Sequence, residues 1–341
     1  MKIEILNEKL HLEYEDFIKK FEGGLFFYSL KYKNFLEELL ECESSYYIVV
    51  EEDKILAVYP MMQKKGKPGI VYNSLPFYGS HGGILSISDN ATNMLIKKIN
   101  EISSLDNTAL NMYVSNLFEN YNSDEVFIYD IKDNRIGQIT PIKFNENIEE
   151  NLMESFHYKT RNMIRKAQKS NIEVFIDNNA FEFLEITHKE NMEAIGGKAK
   201  SSKFFKLIKK YFEASLDYDI YVAEKDGIFV SAMLVFYYNN IVEYFTPVVK
   251  VEYRSFQPLS LLIFQAMVDN ANKKFKWWNW GGTWLSQDGV YRFKSRFGAI
   301  DKEYNYFIKV NNQDIYNFTK ENLLSEYENF YTIPFEKLEN R

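Results

Sequence analysis

The sequence predicts an α+β protein, mixed sheets flanked by helices, with that architecture present twice. Length is the first reason: 341 residues are too many for one ordinary domain and comfortable for two. The second is a repeated grammar. Tyr46–Met62 and Asp219–Tyr238 each read as a strand, an acidic-basic turn and a strand, and each follows a pair of helical segments. The third is that further strand patterns follow both hairpins, which suits layered packing in both halves. No stretch of sequence repeats, so duplication is expected in structure alone. The expected division is 1–143, 144–310 and a helical tail, 311–341, packing on the second domain.

Each element has its own signal. Leu12–Phe21 carries apolar residues at helical spacing and ends at Gly23-Gly24, and Tyr32–Leu40 repeats the pattern. Ala91–Ile102 reads as a helix, Ala109–Val114 and Val126–Ile131 as strands. Leu75–Gly83 is a breaker-rich loop. Asp133–Glu150 is polar, holds Pro141, and is the expected boundary. Beyond it, Ile148–Gln168 is expected as one helix, Ile172–Ile176 as a strand, and Ala180–Ile195 and Lys203–Ala214 as helices. Lys225-Asp226-Gly227 turns the second hairpin, with glycine where φ must be positive. Ile241–Val248, Trp277–Trp280 and Tyr304–Val310 read as strands, and Leu259–Lys274 as a helix.

Composition excludes several classes. The hydrophobic share of 46% rules out a disordered chain, and a net charge of −7 gives no overall field toward nucleic acid or anionic membrane. The lone Cys42 cannot form an internal disulfide or a thiolate zinc cluster, so a reduced, cytoplasmic setting is expected. Neither an export signal nor a membrane-spanning run is apparent, although composition leaves room for peripheral membrane contact. His11, His81, His157 and His188 lack metal-ligand spacing, so no metal is expected; His81 reads as a loop histidine. There is no G-x-S-x-G, Walker A or G-x-G-x-x-G motif.

Four features point toward chemistry. Lys159, Arg161, Arg165, Lys166 and Lys169 form an acid-free run, with Arg161 and Arg165 four apart on one helix face. Such a run in an acidic chain suits a phosphorylated ligand. Lys198 to Lys210 holds a second acid-free lysine run, which reads equally well as a solvated helix face. Trp280-Gly281-Gly282-Thr283 precedes Gly289 to Gly298, which contains Arg292, Phe293, Lys294 and Arg296. Paired glycines allow close backbone approach by a ligand, and Lys294 is hard to place in a core. Glycines at both ends suggest a shaped loop over 289–298 rather than a plain helix. Finally, Arg254-Ser-Phe-Gln-Pro-Leu-Ser leads from a strand into a helix N-terminus able to meet an anion.

Taken in order, Lys159 to Lys169, Val222 to Gly227, Asn279 to Gly282 and Tyr291 to Gly298 resemble the Fem-type peptidyltransferases over roughly residues 20–310. These are aminoacyl transferases of cell-wall precursor assembly within the GNAT superfamily. The resemblance implies two tandem GNAT-like domains, the shorter form without a helical arm, and amide formation by amine attack on an activated acyl carbonyl. No tightly bound cofactor is implied. The donor would be aminoacyl-tRNA or acyl-CoA, and the acceptor a phosphorylated, nucleotide- or lipid-linked precursor. Phe293 and Lys294 match the family's pair beside the transferred acyl group. Lys200 stands where relatives carry arginine on acceptor phosphate, and Phe204 where they carry tyrosine, so the acceptor is expected to differ. The segment from Arg254 lacks the glycines of a GNAT pyrophosphate loop, which disfavours coenzyme A.

On these expectations Lys294 donates to the developing oxyanion and Phe293 shields the site from water. Arg161, Arg165, Lys200, Phe204, Arg254, Gly281, Gly282 and Arg292 would bind substrates. Glu243, Tyr244 and Asp288 are candidates for the base. The reading requires the Lys294 amine to lie away from bulk solvent. Two rivals stay open: an acyl-CoA-dependent N-acetyltransferase acting on an amino sugar, and a non-catalytic binding protein with the same fold.

Overall fold

A computed structural model describes residues 1–77, 82–119, 121–143, 146–284 and 287–338. The chain divides into two compact units, 1–136 with 303–341, and 137–302. The first unit begins with β1 (Lys2–Ile5), α1 (His11–Lys19), α2 (Leu30–Leu40), β2 (Glu43–Ser44), β3 (Tyr47–Glu51) and β4 (Lys54–Tyr59). It continues through β5 (Met62–Gly66), β6 (Gly69–Asn73), β7 (Leu85–Ser86), α3 (Asp89–Ile102), β8 (Thr108–Val114) and α4 (Ser123–Val126). The hairpin β3–β4 sits where the sequence puts it, within a four-stranded sheet ordered β1-β3-β4-β7. Leu95, Ile99 and Ile102 on one face of α3 pack with Val49, Ala57 and Tyr113.

Strand β9 (Ile131–Pro141) carries the chain from one unit to the other, so the expected polar boundary is a strand and not a linker. Buried Arg135, Gln138 and Thr140 interrupt its apolar pattern, which hid it. Arg135 pairs with Asp133, and buried Gln138 donates 2.9 Å to Ser295 Oγ. The expected strand at Val126–Ile131 is likewise absent, because Asn122 caps the short helix α4 and Phe127 turns into the core.

The second unit contains α5 (Ile148–Ser155), α6 (Tyr158–Lys169), β10 (Glu173–Ile176), α7 (Phe181–Glu193), α8 (Ser202–Tyr211), β11 (Tyr218–Lys225) and β12 (Ile228–Tyr238). There follow β13 (Ile241–Val249), a 3₁₀ turn at Val251–Phe256, α9 (Pro258–Asn272), β14 (Trp277–Thr283) and α10 (Asp288–Ser295). Its strands run β10-β11-β12-β13-β14, antiparallel until the parallel pair β13–β14. Alternation along β11 and β12 serves both sheet faces. Tyr221, Ala223, Met233 and Val235 join α9 in one core, while Tyr218 and Phe236 meet Phe181 of α7 and Phe212 beyond α8. Asp226 and Gly227 both have positive φ, 53° and 77°, as a primed hairpin turn requires.

Two expectations fail here for local reasons. Ile148–Gln168 is two helices, because Phe156 is extended and buried between Phe264 and Phe297 while His157 caps α6. The segment 289–298 is mostly helix, α10; its glycines lie in the first turn and just past the C-cap. The chain then returns to the first unit through β15 (Ile300–Val310) and α11 (Lys320–Glu326). The tail therefore packs on the first unit, correcting the expectation: Tyr327 donates to the Gly69 carbonyl at 2.9 Å and Glu326 pairs with Lys67.

Gly298 has φ +73°, and a Cβ there would lie 3.2 Å from the Ser155 carbonyl oxygen. Gly298→Ala is expected to cost about 1–2 kcal/mol in denaturant unfolding, because an L side chain is strained in that region.

Candidate active site

The parallel pairing of β13 and β14 covers three positions, Ile241↔Trp277, Val242↔Trp278 and Glu243↔Asn279. Beyond Glu243 the register of β13 against β12 shifts. Val235 faces Tyr244 and Leu234 faces Thr246, leaving Phe245 as the extra residue of a bulge. Bulge and fork fall together, and the polar residues around them are buried. Asn279 donates from Nδ2 to Glu243 Oε2 at 2.8 Å and accepts from the Gly281 N–H at 2.9 Å. Gly281 has φ +70°, which lets the chain turn there.

Glu243 Oε1 and Thr246 Oγ1 are buried without a hydrogen-bond partner among the described residues. Burial pushes the Glu243 carboxyl from its ordinary 4.5 to about 8, opposed only weakly by the Asn279 bond. A neutral carboxyl with a free acceptor oxygen can accept a proton once ionised. Tyr244, beside it, is also raised by burial. Asp288, the third candidate base, is exposed and pairs with Arg292 on its own helix surface.

Lys294 lies on α10 and is 6% exposed. Its Nζ donates to Thr283 Oγ1 at 2.8 Å and to the Gly282 carbonyl at 3.1 Å. No carboxylate pairs with it among the described residues, and burial lowers it from 10.5 to about 8. An ammonium has three donors, so one remains for a developing oxyanion. Phe293 is half-buried, edge-on to Trp280 and packed with Phe297, so it walls the core beside Lys294.

The other expected residues scatter over the second unit. Arg161 donates from Nη1 to the Phe156 carbonyl at 2.6 Å, capping the end of α5 instead of standing free for phosphate. Arg165 is exposed on α6. Lys200 lies over the rings of Phe204 and Phe245, its amine lowered to about 8 by burial, and its N–H meets His188 Nε2. Phe204 is buried and parallel to Phe245. Arg254 is exposed on the 3₁₀ turn before α9, so that helix does not follow its strand directly. Arg292 is exposed. His81 lies outside the described residues. Thr246 was not marked by the sequence, and Thr283 only as the end of the paired-glycine motif, because nothing local marks a threonine as facing a fork. No group of residues that could hold a metal ion occurs among the described residues, and no described helix is long and apolar enough to cross a membrane.

Comparison with known proteins places this geometry. Residues 219–319, which contain the fork and Lys294, match the FemAB family. No match was found among curated proteins. A crystal structure of FemX superposes with a TM-score of 0.69 at 15% identity, covering 93% of this chain and 99% of that one. The C-terminal domain of a putative lysylphosphatidylglycerol synthetase from Agrobacterium fabrum gives 0.59 at 9% identity, covering 96% and 100%. A tandem GNAT protein from the clavulanic acid biosynthesis pathway gives 0.53 at 8%, covering 90% and 98%. The fold is thus that of tandem GNAT-like proteins. Over residues 219–319, then, the chain resembles the Fem-type proteins that its motifs led us to expect.

Because Glu243 stays protonated in the fold up to about pH 8 but ionises near 4.5 when unfolded, folding stability should fall as pH rises between those values. Glu243→Gln keeps an acceptor for Asn279 and should flatten that decline in pH-dependent denaturant melts. Lys294 acts with the opposite sign: its contribution to stability rises between pH 8 and 10.5.

Proposed function

We propose that the protein forms an amide between an activated acyl donor, aminoacyl-tRNA, and an amine of a cell-wall or surface-glycan precursor. The observation that carries this reading is the buried Lys294 ammonium, held by Thr283 and Gly282 with a donor left over. The amine nitrogen attacks the ester carbonyl, the carbonyl oxygen takes negative charge, and Lys294 Nζ–H meets it. Collapse breaks the carbon–oxygen bond to the donor ribose, and that hydroxyl takes up a proton. Glu243, ionised, receives the proton that the attacking amine gives up. Phe293 keeps water from the acyl carbon.

The acyl-CoA reading is less well supported. Helix α9 opens with Pro258, which removes one amide from the turn that would meet a pyrophosphate, and no glycine precedes it. Departures at Lys200 and Phe204 favour an acceptor other than the family's muramyl peptide, since the Lys200 amine rests on aromatic rings.

Lys294→Met, with folding checked by its melt, should lower transfer from charged tRNA by about 10²–10³-fold. Undiminished transfer removes Lys294 from the mechanism, and transfer from acyl-CoA in place of charged tRNA replaces the donor. Wild-type kcat/KM should be bell-shaped with both limbs near pH 8, since Lys294 must be charged and Glu243 ionised. Glu243→Gln should lose the rising limb.

A further inference from the structure

We propose that the exposed arc of α6 docks the ribose-phosphate backbone of the donor RNA, an inference that rests on the aminoacyl-tRNA reading above. Helix α6 has five cations and no acid, in a chain of net charge −7. Arg161 is occupied at the end of α5. Lys159, Arg165, Lys166 and Lys169 are exposed, and none forms an ion pair among the described residues. At 3.6 residues per turn they span an arc of about 120°, opposite the buried face of Thr160, Ile164 and Ala167. Along the axis they cover about 15 Å. A single phosphate cannot use charges so far apart, whereas a polynucleotide backbone can.

The lysines of α8 differ. Lys209 sits over the Phe181 ring and Lys210 over Tyr211, so their charges already serve local contacts. At the head of the α6 arc His157 and Tyr158 pack ring against ring at 4.5 Å, with Tyr158 54% exposed. An exposed ring beside a row of cations can stack an unpaired base. The arc carries no exposed aliphatic side chain, so it lacks the anchor that membrane insertion needs. The His157 N–H donates to the Arg296 carbonyl at 2.9 Å, joining this end of α6 to the C-cap of the helix that bears Lys294. RNA laid along the arc therefore has one end at the catalytic helix.

The test is a fluorescence-anisotropy titration of the full chain with a labelled, uncharged tRNA transcript over a salt series. In the quadruple variant Lys159→Gln, Arg165→Gln, Lys166→Gln, Lys169→Gln, the slope of log affinity against log salt should become shallower by about 3, from 0.7–0.9 per contact. Tyr158→Ala should weaken binding roughly tenfold, a modest stacking loss. The control Lys206→Gln, Lys209→Gln, Lys210→Gln should keep the wild-type slope. An unchanged slope in the quadruple variant overturns the docking surface, and if wild-type protein still transfers from charged tRNA the donor reading stands. Wild-type protein that neither binds the transcript nor uses charged tRNA overturns both. Unchanged RNA binding with lost binding to phosphatidylglycerol vesicles overturns the RNA assignment.

Discussion

Two strands that pair for three residues and then part create the break at which the candidate site lies. A sheet normally satisfies its polar groups strand against strand. At the fork that continuity stops, and the residues at the break must find other partners or do without. Asn279 bridges it by holding Glu243 on one strand and the Gly281 amide on its own. The bulge at Phe245 re-aims β13 one step further on. Glu243 and Thr246 are each left with a buried oxygen that nothing satisfies among the described residues. Such groups cost stability, and proteins retain them where chemistry uses them.

The two titratable groups at this end of the unit are displaced in opposite directions by the same cause. Burial disfavours charge on both, raising the carboxyl and lowering the amine until both lie near 8. Neither has an opposite charge beside it among the described residues. Each therefore changes protonation at small cost near neutral pH, which suits a group that must hold or release a proton. A paired Lys–Glu bridge would lock both in their charged forms and serve structure alone.

Much of this was legible because it is local. The hairpin turn at Asp226-Gly227, the strand into Gly281-Gly282 and the Phe293-Lys294 pair all declare themselves within ten or so residues. What escaped was fixed by distant partners. Strand β9 looked like a polar linker because its buried Arg135 and Gln138 meet partners far along the chain. Arg161 looked available until the end of α5 was seen to occupy it. The rings beneath Lys200 include Phe245, on a strand three elements beyond the helix that follows it. The single expected helix broke because Phe156 found the core between two other rings, which no periodicity reveals.

That break also joins the charged helix α6 to α10, which carries Lys294. Phe156 packs on Phe297, Gly298 closes against Ser155, and His157 bonds to Arg296. Three contacts of different kinds thus fix the start of α6 against the end of α10. A helix free to pivot could gather a polyanion without directing it. Here the arc and α10 are joined at that junction, so under the proposed function an anion on the arc lies beside the helix that carries Lys294. In a chain of net charge −7, the overall field does not draw in a polyanion, so a local cluster of cations must. Under the proposed function, attraction and reaction fall to the same corner of the second unit, and the net charge of −7 sharpens the choice of approach.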